Sequence, residues 1–393
     1  MKNILLINDF LEGGGAEAVF RDQIEILSKD ENFKVDSFYA FEKISDNKLA
    51  PFSYIYSRSF KKKLAAFLEN KLFDFIIIHN FSGALSPSIL DALSRYKQTN
   101  PCKIIYYAHD YHLVCANRGF QYYPKKGKLI NFKEPPSLWN TVFKRLDHRG
   151  RLYSALKKVQ WINAYTIGKK QNVFDLMLAP SDFLTGHLKK RYPDKDVNLM
   201  YNSCNALCTH KKSLHLPGKT LKLVYFGRLG PEKGLKEFIK ALAIVKMDFS
   251  FAIIGEGEDK PNIQKTIKQY HLEEKICIKP KMNHRDLFIE LQNYDVFVLP
   301  SVWYENAPLS IVEAASLGLG LFLAGHGGIL EIGKICNATH FFNPENIQET
   351  ALRLDEFYID FQSGAWKKAD NNLLQDLFSK EIYMQNLRNY LKV

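Results

Sequence analysis

Residues 221–245 read LKLVYFGRLGPEKGLKEFIKALAIV. The run Leu221–Phe226 is short, apolar and rich in β-formers, which marks a strand. From Leu235 the apolar residues recur at helical spacing, so Leu235–Val245 is expected to be a helix. Between them stands Phe226-Gly227-Arg228-Leu229-Gly230-Pro231-Glu232-Lys233-Gly234. A strand that enters a helix through a glycine-rich loop is half of a parallel βαβ unit.

The same alternation extends in both directions. Downstream, Phe249–Ile254, Ile276–Ile278, Val296–Leu299 and Leu321–Ala324 are short apolar runs. The helical patterns Pro261–Tyr270 and Arg285–Gln292 lie among them. Upstream, the strands are Ile4–Ile7, Val35–Ala40, Phe75–Ile78, Ile104–Ala108 and Leu176–Ala179, with helical stretches such as Ala16–Ser28 and Ser86–Tyr96 between. Phe75-Ile76-Ile77-Ile78 has the continuous apolar character of a strand buried on both faces. The fold class is therefore α/β, with two doubly wound Rossmann-like domains. The expected division is 1–200, a linker at 201–218, 219–370, and a final helix within 371–393 that can pack on either domain. Open parallel sheets bind ligands beyond the carboxyl ends of their strands, so a cleft between two facing sheets is the expected active site.

A chain of 393 residues with 46% hydrophobic and 24% charged residues is an ordinary globular protein, which excludes disordered, collagenous and coiled-coil classes. No apolar run approaches the roughly 18 residues of a membrane span. Lys2–Ile7 is too short for a signal-peptide core and runs directly into patterned sequence. The six cysteines, Cys102, Cys115, Cys204, Cys208, Cys277 and Cys336, show no CxxC spacing and are expected to be reduced, as in cytoplasm.

The net charge of +12 is uneven: residues 1–178 hold 27 basic and 17 acidic residues, and 118–170 alone hold 13 and 2. A basic front half suits an anionic partner, although a merely soluble basic face is the alternative.

Five loops carry candidate chemistry, and each follows a strand. Gly13-Gly14-Gly15-Ala16-Glu17 opens the first helix; glycines let backbone approach a ligand, and helix-start amides favour an anion. It lacks the GxGxxG pattern, and a plain glycine-rich turn is the alternative. His109-Asp110-Tyr111-His112 offers a histidine to a substrate hydroxyl or to developing charge, or a structural histidine at a strand end. His109, His112 and Cys115 are spaced three apart, but no further ligand set with metal spacing accompanies them, and no metal is expected. Arg228 and Lys233 can aim two cations at one diphosphate, Arg as a planar fork and Lys as a point charge, or can be two solvated cations. Gly255-Glu256-Gly257-Glu258-Asp259 is a weak GxG turn.

The fifth loop is the strongest: Glu305-Asn306-Ala307-Pro308-Leu309-Ser310-Ile311-Val312-Glu313. Pro308 suits a first helical position, which puts Glu305 on the loop and Glu313 about a turn inside the helix. One carboxylate can meet sugar hydroxyls at the helix mouth while the other reaches along the ligand. Amides near Asn306, Ala307 and Leu309 add donors. A capping acid and a solvated helix acid are the alternative.

Three elements together resemble the retaining glycosyltransferases of the two-domain GT-B fold, specifically glycosyltransferase family four. They are the glycine-rich loop 13–17, the Gly-Arg-Leu-x-x-Glu-Lys-Gly segment at 227–234, and the Glu-x7-Glu pair at 305 and 313. The resemblance implies that Arg228 and Lys233 hold the diphosphate of a nucleotide-sugar, with Gly14 and Gly15 approaching the same phosphates. It implies that Glu313 binds the ribose, and that Glu305 with amides at Asn306, Ala307 and Leu309 holds the donor sugar. His109 would contact that sugar near its reacting end, so His109 and Glu305 form the expected catalytic centre. Lys281 and Met282 would border the base. The sequence departs from the family pattern at Pro280, Gly320 and Leu330, none of them charged.

Breaking the anomeric bond leaves negative charge on the diphosphate, which Arg228, Lys233 and helix amides would stabilise. The family expectation is departure and attack on one face, with retention, Glu305 as a binding residue, and neither metal nor cofactor. The nucleotide-diphosphate-sugar is a substrate. The resemblance and the basic face point to cell-surface polysaccharide assembly, such as capsule or lipopolysaccharide.

Aromatics interleave the basic region, and Lys144–Lys158 mixes Arg145, Arg149, Arg151, Lys157 and Lys158 with Leu152 and Leu156. That composition suits an anionic membrane surface and a lipid-linked glycan acceptor at the inner face of the cell membrane, or a basic helix covering its own core. Three rivals stay open: a nucleotide-sugar epimerase of the same fold, a non-catalytic nucleotide-sugar or glycan-binding protein, and a nucleic-acid-binding protein. The last has the charge but no binding module, and no nucleic-acid partner is expected.

Overall fold

The computed structural model describes residues 1–40, 51–125, 128–204, 207, 220–366 and 368–393. Most of the expected linker 201–218, with Cys208, lies outside these residues. The chain divides into two compact units, residues 1–203 with 383–393, and residues 204–382.

The first unit holds β1 (Lys2–Ile7), β2 (Phe33–Phe38), β3 (Phe75–Ile78), β4 (Lys103–Tyr107), β5 (Gln121–Lys125), β6 (Lys128–Asn131), β7 (Leu176–Ala179) and β8 (Val197–Leu199). Six of these form one parallel sheet in the order β2-β1-β3-β4-β7-β8. Ile76, Ile77 and Ile78 are fully buried, as their apolar run predicts. A buried side chain of this size contributes about 1.5–3 kcal/mol. The strands β5 and β6 form a separate antiparallel hairpin.

The second unit holds β9 (Leu221–Phe226), β10 (Phe249–Ile254), β11 (Ile276–Lys279), β12 (Val296–Leu299), β13 (Gly320–Ala324) and β14 (His340–Phe342), in the parallel order β11-β10-β9-β12-β13-β14. Strand order reverses between β9 and β12 here, and between β1 and β3 in the first unit. Those are the switch points at which doubly wound sheets bind ligands.

The expected single C-terminal helix is two, Asn371–Phe378 and Lys380–Leu391, broken at Ser379. Ser379 Oγ accepts the Ile382 amide at 3.4 Å and so starts the second helix. Residues 371–382 therefore belong to the second unit and 383–393 to the first. Within the first unit, Arg388 Nε donates to Asp30 at 3.1 Å, Lys103 Nζ donates to the Tyr390 carbonyl at 2.7 Å, and Tyr390 OH donates to the Leu199 carbonyl at 2.8 Å. Among the described residues no helix is long and apolar enough to cross a membrane.

Candidate active site

In the second unit the loops after β9 and β12 meet at the switch point. Gly234 has φ +69°, and a Cβ there would lie 2.0 Å from the Pro300 carbonyl oxygen. Glycine at this position is what lets the 227–234 loop press on the end of β12. Val302 N donates to the Glu232 carbonyl at 2.9 Å and ties the loops together.

The contact brings Lys233 to Glu305, Nζ to Oε1 at 2.9 Å, with both side chains largely buried. The Ser301 hydroxyl donates to the same carboxylate oxygen. His326 Nε2 donates to the Ser301 carbonyl at 2.7 Å, and burial pushes the pKa of that histidine down. Gly328 N donates to the Glu305 carbonyl at 2.8 Å, and a Cβ on Gly328 would lie 1.5 Å from the Asn306 carbonyl oxygen. The helix Gly327–Ile335 therefore closes on the Glu305 loop only because position 328 has no side chain. Trp303 lies beneath the lysine, its ring centre 5.6 Å from Nζ.

Arg228 sits on the same loop as Lys233, its guanidinium more exposed and paired with Glu232. Lys233 is thus held by a largely buried carboxylate, while Arg228 pairs with Glu232 and stays open to solvent. Pro308 caps the next helix rather than opening it: its ψ of 106° is extended, and the helix runs Leu309–Ser316. Asn306 and Ala307 occupy the loop after Glu305, and Leu309 starts the helix. Glu313 lies inside this helix and meets His284 Nε2 at 3.2 Å. Lys281 and Met282 follow β11, exposed and half-buried respectively.

In the first unit, His109 follows β4 and His79 follows β3, its neighbour in the sheet. The His79 Nδ1 to His109 Nε2 distance is 2.6 Å, and the rings stack at 4.9 Å. His79 Nε2 lies 2.6 Å from Gln23 Oε1, and Gln23 Nε2 donates to Tyr383 OH at 2.6 Å. The amide oxygen of Gln23 only accepts, so His79 carries its proton on Nε2. His79 Nδ1 then accepts, so His109 carries its proton on Nε2 and presents an unprotonated Nδ1. Burial pushes the His109 pKa down to about 3, and burial with His109 alongside pushes His79 well below its usual range. Both rings are neutral at physiological pH.

Gly14 caps the helix Gly15–Ser28, and its amide donates to Glu17 Oε2 at 2.7 Å. Gly14 and Gly15 are exposed, with open space where a Cβ of Gly15 would stand. The Glu17 carboxylate thus occupies the helix start where an external anion was expected. Arg118 lies 3.8 Å from Asp9 and 3.9 Å from Asp110, joining the loops after β1 and β4. His112 does not join His109: its Nε2 pairs with Tyr165 OH at 2.8 Å. Cys115 is buried, which pushes its thiol up to about 12. Among the described residues no group of three or more His, Cys, Asp or Glu is arranged to hold a metal ion.

Motif spacing pointed to none of Gln23, His79 and Tyr383 beside His109 in the first unit, nor to Ser301, His284 and His326 beside Glu305 and Glu313 in the second. His79 directly follows a buried strand and Ser301 stands two residues beyond one, which is the signal that could have found them. Gln23 and Tyr383 are 360 positions apart and carry no local signal.

Residues 208–363 match the family model described as glycosyl transferases group 1. The chain is 30% identical over 193 residues to the putative colanic acid biosynthesis glycosyltransferase WcaL of Salmonella typhimurium, covering 47% of each chain. It is 27% identical over 268 residues to the WcaL protein of Escherichia coli, covering 64% of this chain and 63% of that one. The chain thus spans about half to two thirds of the length of these relatives. Its fold is similar to the lipopolysaccharide outer core galactosyltransferase WaaB, with a TM-score of 0.65 at 16% identity over 100% of both chains. The Anabaena protein HepE, solved in complex with UDP-glucose, gives 0.65 at 17% identity, again over 100% of both. The chain has the two-domain GT-B fold of these solved structures, and its residues 208–363 are similar to the glycosyl transferases group 1 family.

Proposed function

We propose that this protein transfers a sugar from a nucleotide-diphosphate-sugar to a glycan or lipid-linked acceptor during assembly of a cell-surface polysaccharide, with retention and without a metal. The observation that carries this reading is the Lys233–Glu305 pair, formed across 72 residues at the switch point of the second sheet. The names of the WcaL relatives and the UDP-glucose bound by HepE support the substrate class.

In this reading the donor diphosphate displaces carboxylates from Arg228 and Lys233. A diphosphate carries more charge than a single carboxylate and offers several oxygens, so the exchange is favourable. As the anomeric bond breaks, the two cations and the amides opening the 309–316 helix stabilise the growing negative charge, a term worth several kcal/mol. These cations supply the charge that a metal would otherwise bring. Glu305 keeps the Ser301 hydroxyl when Lys233 turns to the phosphates, which suits a group that orients sugar hydroxyls rather than one that attacks carbon. Glu313 serves the ribose, and its contact with His284 steadies it beside the Lys281–Met282 loop, which serves the base. His109 offers a neutral ring with a free Nδ1, suited to accepting from a sugar hydroxyl. Gly14 and Gly15 can meet phosphate once Glu17 swings aside. The enzyme would act in the cytoplasm.

A thermal-shift panel of nucleotide-sugars, followed by acceptor assays on the donors that stabilise, tests the proposal. A glycoside product that retains the donor's anomeric configuration, formed in the presence of chelator, is expected. Conversion of the donor without acceptor would favour an epimerase, and binding without turnover a non-catalytic binder. An inverted product would refute retention.

A further inference from the structure

The segment 138–161 is folded inside out. In the helix Arg151–Trp161, the residues facing the protein are mainly polar and hydrogen-bonded. Ser154 Oγ accepts the Leu146 amide at 2.7 Å, Gln160 Nε2 donates to the Tyr54 and Ser82 carbonyls at 2.5 and 3.0 Å, and Lys157 meets Asp147 at 2.9 Å. Trp161 is also inward and donates to the His112 carbonyl at 2.7 Å. The outward face is apolar. Leu152, Ala155, Leu156 and Val159 follow the i, i+3, i+4, i+7 spacing of a stripe that normally meets a core, yet Leu152 is 70% and Val159 50% exposed.

The neighbouring helix Leu138–Phe143 repeats the pattern. Trp139 is 71% and Phe143 64% exposed, with ring centres 4.1 Å apart. Lys158 Nζ donates to the Val142 carbonyl at 2.6 Å and holds the two helices side by side. The basic helix thus does not simply cover its own core.

Charge decides what covers this face. Residues 137–169 hold seven Lys and Arg and a single acid, Asp147. Asp147 is buried and bonded to Arg149 and Lys157, so it presents no negative charge outward. A second copy of the chain docked face to face would oppose cations to cations. An interface that pairs Trp, Phe, Leu and Val with unopposed Lys and Arg fits the boundary layer of an anionic bilayer.

We propose that this face, built from Trp139, Phe143, Leu152 and Val159 and ringed by Arg149 and Arg151, seats the protein on an anionic lipid surface. This deepens the proposed function, because a lipid-linked acceptor is presented at such a surface. The binding itself needs neither donor nor acceptor.

The test is flotation of the full chain with phosphatidylcholine vesicles, with and without phosphatidylglycerol. Binding only to the anionic vesicles is expected, weakening as salt rises. Trp139→Ser with Phe143→Ser, and separately Leu152→Ser with Val159→Ser, should each lower partitioning about tenfold or more. Arg151→Ala should lower it about fivefold. All four apolar positions are exposed, so unfolding temperatures should stay at the wild-type value. Quenching of tryptophan emission by brominated acyl chains should disappear in Trp139→Phe. Failure to float, or equal partitioning of the two double variants and wild type, overturns the proposal. So does self-association that Trp139→Ser with Phe143→Ser abolishes while no vesicle binds. None of these results alters the outcome of the transfer assay, so the two proposals fail separately.

Discussion

Replacing His109 by Gln should flatten the acid limb of the protein's stability. Burial lowers the His109 pKa from the usual 6.5 to about 3. Above 6.5 the ring is neutral in both folded and unfolded chains, so folding stability is complete. Below 6.5 the unfolded chain takes up a proton that the folded one refuses, and stability falls as pH drops toward 3. At about 1.4 kcal/mol per pH unit, moving from about pH 7.5 to about pH 5 costs about 2 kcal/mol through this one ring. Gln cannot titrate, but its side-chain NH2 can still donate to His79 Nδ1. Urea unfolding of wild type and His109→Gln at both pH values measures the difference. The wild type should lose about 2 kcal/mol more than the variant, corresponding to roughly 4–8 °C in Tm for a domain of this size. The variant should still weaken in acid, because buried His79 and His112 also resist protonation. Equal losses in the two proteins would refute the assignment of a neutral His109.

Other outcomes follow from the same geometry. Lys233→Ala and Glu305→Ala should each lower donor turnover by about two to three orders of magnitude. Each also leaves the other charge buried without its partner, so Lys233→Met with Glu305→Met should be more stable than either single Met variant in thermal unfolding. Gly328→Ala should destabilise the second unit by about 2 kcal/mol or more, because its Cβ would lie 1.5 Å from the Asn306 carbonyl oxygen; chemical denaturation checks this. Gln23→Leu removes the acceptor that sets the His79 tautomer. It should lower kcat more than KM, and Gln23→Glu, which keeps an acceptor, should recover more activity than Gln23→Leu.

What could be read in the sequence follows from the physics of each element. Strands buried on both faces, such as Phe75–Ile78 and Val296–Leu299, are uninterrupted apolar runs and match the structure residue for residue. The strands β8 and β14 have three residues each at sheet edges, and Asn198 and His340 break their apolar character. The β5–β6 hairpin contains Pro124, which argues against a strand, and survives outside the main sheets. The loop glycines and cations of 227–234 were legible because turn and charge are local properties. The partnership of Lys233 with Glu305 was not, because it needs β9 and β12 to be neighbours. The chain from His109 through His79 and Gln23 to Tyr383 was illegible for the same reason, since two strand ends, the first helix and the last helix must converge. The exposed stripe at 152–159 has the spacing of a core helix, and only the structure shows which side faces out.

In the proposed transfer, Lys233 and Arg228 receive the phosphates of an activated sugar. Titration calorimetry of wild type, Lys233→Met and Arg228→Met with UDP and GDP, in the presence of chelator, tests it without requiring an acceptor. Wild type should bind one of them, Lys233→Met should weaken that binding about a hundredfold, and Arg228→Met about tenfold. Undiminished affinity in Lys233→Met would contradict the proposal.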